Sequence, residues 1–190
     1  MTTENTFCIL LRPDIESSGT LRLMHEKLLT EFPSLVSSAP VDNALPYHMT
    51  IIGGIKIDRL CSAAYIKIVR QKIKVFTDDS KIPRLAGIES IHLPGYSLGI
   101  RLKFVPESYV ITGSKEENVL LANMLGAKNF DFDQPKHITL FSVKNYYVGI
   151  DSVLPVLKDL LLMYHGKLLE MTFMPEIWEK VNGSWSKYKT

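Results

Sequence analysis

YHMTIIGGI at residues 47–55 and KHITLFSV at residues 136–143 share one pattern, a histidine followed two residues later by a threonine within an apolar run. Short apolar runs that are rich in β-branched residues and follow a proline are typical of buried β-strands. Side chains alternate between the two faces of a strand, so each histidine projects on the same face as its threonine. The residues of these two pairs are His48, Thr50, His137 and Thr139.

Two histidine–threonine pairs suit chemistry on one phosphate group. One imidazole can remove a proton while the other donates one, and the hydroxyls can hydrogen-bond the phosphoryl oxygens. A single pair would be explained most simply as a half-buried structural histidine beside a residue that favours strands. Two pairs use two of the five histidines of the chain, and each lies near the middle of one half. This pattern favours a shared catalytic site.

A metal site is the competing interpretation of the two histidines. Zinc sites use three or four protein ligands at defined spacing, and here the further ligands would have to be threonines or distant acids. Threonine is a poor zinc ligand, so we predict a site that works without a metal and without any other cofactor.

The composition is that of an ordinary globular protein. Of the 190 residues, 46% are apolar and 22% are charged, and the net charge of +2 permits an anionic substrate without by itself indicating nucleic-acid binding. Cys8 and Cys61 are too few for a disulfide framework and suit a reducing compartment. The sequence has no signal-peptide pattern and no apolar stretch near the ~20 residues of a membrane helix. We therefore expect a cytoplasmic protein that does not bind membranes.

Hydrophobic periodicity and turn residues predict the order strand–helix–strand–helix–hairpin, followed by helix–strand–helix–strand–hairpin. This order predicts an α+β fold of two similar halves with one motif each. We expect residues 1–190 to form one bilobal domain, with halves of roughly 1–110 and 111–190. Closing the halves face to face would bring both histidines into one central cleft. The sequence predicts nothing about the oligomeric state.

Local signals predict several element boundaries. Ser18 or Thr20 could cap the first helix, and Asp58 is expected to cap the second. A strand is expected over residues 168–173. The pair Gly53-Gly54 inside the first motif run indicates either a bend or bulge of the strand, or the close approach of another group.

The sequence EIWEKVNGSWSK at residues 176–187 predicts a hairpin around Asn182-Gly183, which is the strongest short hairpin signal. With a two-residue loop, two lysines face two tryptophans on one side of the ribbon. The facing pairs are Lys180 with Trp185 and Lys187 with Trp178. These cation–π pairs either stabilise the hairpin or form a platform on which bases stack.

Two aromatic residues are candidate substrate-binding residues. Trp185 belongs to this hairpin, and strand alternation assigns Phe141 to the same face as His137. Either ring could stack on a nucleobase.

Two H-x-T motifs on strands of two half-domains resemble the 2H phosphoesterase superfamily. The resemblance covers roughly Phe7 to Phe173 and is specific at the two motifs. The approach to the second motif, FDFDQPKH at residues 130–137, is also similar to the acidic-aromatic and proline approach of that family. It departs at Lys136, since proline more often stands directly before the histidine in the family.

The resemblance implies a pseudo-twofold fold in which two mainly antiparallel sheets, flanked by helices, surround a central cleft. The implied activity is that of a metal-independent phosphodiesterase, with the two histidines as acid and base in an order that the sequence does not assign. The implied substrate is small and RNA-like: a 2′,5′-oligoadenylate, a cyclic oligonucleotide or a 2′,3′-cyclic phosphate. The alternative is a module of the same fold that binds nucleotides or RNA without turning them over.

Overall fold

Both motif runs form strands in the computed structural model of the chain, which describes residues 4–33, 47–58, 62–72, 83–93, 96–105, 114–143 and 150–188. The strands are β1 (Glu4–Pro13), β2 (Met49–Asp58), β3 (Leu85–Leu93), β4 (Tyr96–Phe104), β5 (Lys136–Val143), β6 (Phe173–Val181) and β7 (Ser184–Lys187). The helices are α1 (Ile15–Glu31), α2 (Ser62–Lys72), α3 (Lys115–Met124) and α4 (Ile150–Leu169). The second motif strand has the bounds of its apolar run, whereas the first begins directly after its histidine.

The strands form two antiparallel sheets. The four-stranded sheet has the order β2-β1-β6-β7, and the three-stranded sheet has the order β3-β4-β5. Each sheet contains one motif strand, β2 in the first and β5 in the second. The predicted α+β fold with two antiparallel sheets is therefore confirmed.

The sheets do not follow the two halves of the sequence. The C-terminal hairpin β6–β7 pairs with β1, where Ile9 lies opposite Ile177. The β3–β4 hairpin pairs with β5, where Leu102 lies opposite Ile138. The predicted halves therefore exchange their hairpins, so that each motif strand lies in a sheet that the other half helps to build. The division of the chain into domains stays a prediction.

One continuous apolar core includes residues of both sheets and of the four described helices. On β2, Met49 and Ile51 are 0% and 1% exposed, and on β5, Ile138 and Leu140 are both 0% exposed. Burial of each such side chain stabilises the fold by about 1.5–3 kcal/mol. Because these residues alternate with the histidine–threonine pairs, the same burial directs both pairs away from the core.

The first helix is capped earlier than the sequence predicts. Asp14 is its N-cap, and Oδ1 of Asp14 accepts a hydrogen bond from the backbone N–H of Ser17 at 2.7 Å. A carboxylate at this position satisfies a free amide and interacts favourably with the helix dipole, so Asp14 takes the place predicted for Ser18 or Thr20. Thr20 instead donates its hydroxyl hydrogen bond to the carbonyl of Glu16 at 3.3 Å.

Of two other predicted boundaries, one is not tested and one is wrong. Asp58 is the last residue of β2 and α2 is described from Ser62, but the predicted cap at Asp58 depends on residues 59–61, which lie outside the described part of the chain. Residues 168 and 169 belong to α4, and the following strand begins at Phe173. Leu168 is 1% exposed within the helix. A short apolar run is compatible with a buried helix end or a buried strand, and periodicity alone does not distinguish the two.

Candidate active site

The two motifs line one cavity of about 450 Å³. His48 and Thr50 reach it from the four-stranded sheet, and His137 and Thr139 reach it from the three-stranded sheet. The other described residues that line it are Lys128, Asn129, Phe130, Asp131, Pro135 and Lys136. The structure thus brings together the four predicted site residues, although the two histidines are 89 positions apart in the sequence.

Strand alternation leaves the four side chains less buried than the apolar residues between them. Both histidines and Thr139 are half-buried, whereas Thr50 is exposed. The apolar residues between them are fully buried on the opposite face. The backbone therefore cannot rotate these histidines away from the cavity without exposing core residues to water.

A backbone bridge joins the segment before the second motif to the strand of the first. Gly53 N donates to Asn129 O at 2.8 Å, and Asn129 N donates to Gly53 O at 3.2 Å. A Cβ on Gly54 would lie 3.2 Å from the Cβ of Lys128. The register of β2 against β1 also shifts at this glycine pair, and Gly54 has φ +66°. Both interpretations of the glycine pair therefore hold, because the strand has a bulge there and the segment of Lys128 and Asn129 approaches its backbone closely.

Gly54→Ala is expected to lower the free energy of unfolding by about 2–3 kcal/mol, measured by urea unfolding. About 1–2 kcal/mol of this comes from placing a Cβ at positive φ, and the remainder comes from crowding the Cβ of Lys128. Gly126→Ala is the matched control, because Gly126 has φ +59° but no atom within 4 Å of its added Cβ. Equal losses in the two variants would show that the close approach contributes nothing.

The surroundings of His137 keep its imidazole neutral. Arg101 of β4 lies opposite Thr139, on the face that presents the second pair. Burial first, and then the positive charge of Arg101, lower the pKa of His137 from 6.5 to about 4, with a further contribution from His48 and an opposing one from Glu89. At neutral pH, His137 therefore has an unprotonated ring nitrogen that can accept a proton.

Arg101, to which the sequence assigned no role, lies beside the second histidine–threonine pair but is not among the described residues that line the cavity. Its Nε is buried and has no hydrogen-bond partner within the described part of the chain. Burial lowers the pKa of its guanidinium, and Glu89 opposes that shift. A buried donor of this kind is normally satisfied. Alternation in β4 assigns Arg101 to the outward face, but only the register with β5 brings it beside Thr139.

Local contacts hold the segment before the second histidine. Oδ1 of Asp131 accepts a hydrogen bond from the backbone N–H of Asp133 at 2.8 Å. Phe132 is 6% exposed, and the ammonium group of Lys136 lies 5.9 Å from the centroid of its ring. Burial lowers the pKa of Lys136, which lines the cavity at the position where the resembled family more often has proline. The departure from the family pattern therefore adds a cationic side chain to the site.

The two predicted aromatic contacts have different outcomes. The backbone of Phe141 pairs with Ile100, but its side chain lies outside the described part of the structure. Trp185 is not among the described residues that line the cavity. It is half-buried against Cys8, Leu10 and Trp178 on another part of the four-stranded sheet. The stacking roles of both residues stay predictions.

Within the described ranges, no group of three or more His, Cys, Asp or Glu side chains is arranged to hold a metal ion. Independence of a metal stays a prediction. No helix among the same residues is both long and apolar enough to cross a membrane.

Comparison with known proteins gives matches in structure alone. No protein-family model matches the sequence, and no curated protein matches it significantly. One matching structure is Usb1 from Kluyveromyces marxianus, solved with uridine monophosphate, which is 10% identical to this chain in sequence. The match covers 100% of this chain and 99% of the Usb1 chain, with a TM-score of 0.54. A conserved protein of unknown function from Agrobacterium tumefaciens, ATU0111, is 13% identical over 97% of this chain and 84% of its own, with a TM-score of 0.54.

Both of these proteins are 2H phosphoesterase superfamily members. The matches span nearly the whole chain and therefore include both sheets. At identities of 10% and 13%, they establish the fold and not the activity. The chain has the bilobal fold of the 2H phosphoesterases, with one histidine–threonine pair in each sheet.

Proposed function

We propose that this protein is a metal-independent phosphodiesterase that cleaves an RNA-like phosphodiester by paired-histidine acid/base catalysis. The proposal rests on one observation: two histidine–threonine pairs from separate sheets line a single cavity of about 450 Å³. The superfamily fold supports it, as does the uridine monophosphate with which Usb1 was solved. Candidate substrates are a 2′,5′-oligoadenylate, a cyclic oligonucleotide and a 2′,3′-cyclic phosphate.

The proposed reaction uses His137 as the base and His48 as the acid. His137 takes the proton from the attacking oxygen, which belongs either to a ribose 2′-hydroxyl or to water. The new oxygen–phosphorus bond forms as the bond to the leaving oxygen breaks, and His48 gives that oxygen its proton. The depressed pKa of His137 supports the base assignment, because an accepting nitrogen must be unprotonated at the working pH.

Charge that develops on the phosphoryl oxygens needs donors that are already in place. Thr50 and Thr139 would donate hydroxyl hydrogen bonds to the non-bridging oxygens. Lys128 and Lys136, which line the cavity, would offset the negative charge of the phosphate. Arg101 would add positive charge from the adjacent strand.

The deciding experiment is a panel of labelled substrates given to the protein in the presence of EDTA. The panel contains 2′,5′- and 3′,5′-linked oligoadenylates, a cyclic oligonucleotide and a nucleoside 2′,3′-cyclic phosphate. We expect turnover of at least one substrate, at a rate that EDTA does not change. Loss of turnover in EDTA with restoration by zinc would contradict the metal-independent mechanism. Binding without turnover across the whole panel would favour the alternative, a nucleotide-binding module of the same fold.

A further inference from the structure

The C-terminal hairpin has the predicted register. Its tryptophan and lysine side chains project from the same face of the four-stranded sheet as the first histidine–threonine pair. Trp178 is opposite Lys187, and Lys180 is opposite Trp185, with its ammonium group 5.8 Å from the ring centroid. Leu10 of β1 is opposite Thr50 on one side and opposite Glu176 on the other. Directly opposite residues of antiparallel strands project from one face, so this face runs from the catalytic strand to the two tryptophans.

A buried carboxylate organises this face. The side chain of Glu176 is 4% exposed, and its Oε1 accepts a hydrogen bond from Lys187 Nζ at 2.7 Å. Its Oε2 accepts the indole N–H of Trp178 at 2.9 Å, and Arg12 lies 3.6 Å from Oε1 through its Nη1. Burial opposes ionisation of Glu176, but these hydrogen bonds and the two cations outweigh it and lower its pKa. Glu176 is therefore an anion that holds two cations.

One carboxylate cannot neutralise two cations, so the cluster has a net positive charge. The side chains of Arg12 and Lys187 remain 37% and 54% exposed. Both can therefore meet a ligand while Glu176 fixes their positions. Half-buried Trp185, with Lys180 above its ring, adds an aromatic surface beside this charge. Positive charge next to an indole is the combination that binds the phosphates and bases of single-stranded nucleic acid.

The cluster extends across the four-stranded sheet from the strand beside the first motif. The β1–β2 register ends with Leu11 opposite Met49, and one more residue in the same register would bring Arg12 opposite His48. Neighbouring strands are about 5 Å apart, so β6 lies about 10 Å from β2, and β7, which contains Lys187 and Trp185, lies about 15 Å from it. An oligonucleotide whose scissile phosphate lies between the two histidines would thus continue over Arg12 towards the hairpin.

We propose that Arg12, Lys187 and Trp185 form a second subsite, which binds the phosphate and base of a nucleotide that flanks the scissile phosphate of a single-stranded oligonucleotide. The inference rests on the proposed function and narrows its substrate class. Oligonucleotides use both sites, whereas a nucleoside 2′,3′-cyclic phosphate, which has a single phosphate, uses only the first. Glu176 is a positioning residue, since it acts through the two cations.

The test is a binding measurement with a 2′-O-methylated oligoadenylate of four nucleotides, which lacks the 2′-hydroxyl nucleophile. Both tryptophans of the chain lie on this face, so their fluorescence reports binding directly. Arg12→Gln and Lys187→Gln are each expected to weaken binding about tenfold, the effect of one charge-assisted contact. Each is also expected to lower the slope of log affinity against log salt by about 0.7.

Arg22→Gln is the matched control, because Arg22 lies on α1 with its side chain 72% exposed and pairs only loosely with Glu26 at 3.8 Å. It is expected to bind the probe as the wild type does. Arg12→Lys keeps the charge and is expected to recover most of the affinity. A purely structural role would instead lower the melting temperature and leave the affinity and the salt slope unchanged.

The outcomes separate this inference from the proposed function, because the probe does not require turnover. If the wild type fails to bind the probe, or if Arg12→Gln and Lys187→Gln bind it as tightly as the wild type, the subsite is refuted while phosphodiesterase activity can still be found in the substrate panel. If both variants weaken binding but no substrate is cleaved, the subsite stands and the proposed function is wrong.

Discussion

Replacement of His137 or His48 by alanine is expected to lower kcat/KM for the cleaved substrate by about 100- to 10,000-fold, since each variant lacks one of the two proton-transfer groups. The loss should appear in kcat, because proton transfer occurs in the transition state and contributes little to binding of the ground state. The measurement is initial-rate kinetics on the substrate that the panel identifies. Circular dichroism should show that both variants remain folded.

The double variant tests whether the histidines act as a unit. Two groups that serve one transition state are strongly non-additive, so His48→Ala combined with His137→Ala should be little worse than the more damaging single change. His165→Ala is the matched control, because His165 is an exposed histidine on α4, outside the cavity. Turnover within a few-fold of wild type in either single variant would contradict the paired assignment.

Local chemistry in the sequence was sufficient for many elements. Ser114 followed three residues later by Glu117 has the spacing of a capping box, which is typical of a helix start. Ser114 is the N-cap of α3, and its Oγ accepts a hydrogen bond from Glu117 N at 3.1 Å. Asn182 and Gly183 predict the C-terminal turn, and they have φ values of 51° and 86°. These features depend on residues that are neighbours in the chain. They could therefore be predicted without knowledge of the tertiary structure.

The pairing of strands could not be predicted in this way. Alternation identifies the two faces of β4 but does not specify which strand lies beside it, so the position of Arg101 opposite Thr139 depends on long-range pairing. The exchange of hairpins between the halves and the bridge from Asn129 to Gly53 have the same origin. Each joins segments that are far apart in sequence, and neither segment alone specifies which partner it pairs with.

The prediction for Phe141 illustrates a further limit. It assumed uninterrupted alternation along β5, but the β4–β5 register shifts between Ile100 and Arg101. A bulge changes the face that the following residues present. Counting alternate residues from His137 therefore does not establish the face on which Phe141 lies.

Arg101→Met should lower kcat/KM by about 100-fold and should also move the acid limb of its pH profile upward. The rate loss follows from removal of a positive charge beside the second histidine–threonine pair, which would stabilise the charge that develops on the phosphate. The pH shift follows from the charge of Arg101, which disfavours protonation of His137 and so lowers its pKa. Without that charge the pKa rises from about 4 towards its ordinary value of 6.5, while burial still holds it below that value.

Glu89→Gln is the paired test, because it is expected to shift the acid limb of the pH profile in the opposite direction. Glu89 favours the protonated form of His137, so its removal should move the acid limb downward, in contrast to Arg101→Met. The acid limb of kcat/KM reports the base in the free enzyme, because activity is lost as pH falls through its pKa. If His137 is the base, the two variants must displace that limb in opposite directions. An acid limb that neither variant moves would mean that the base is another group, with His48 the first to test.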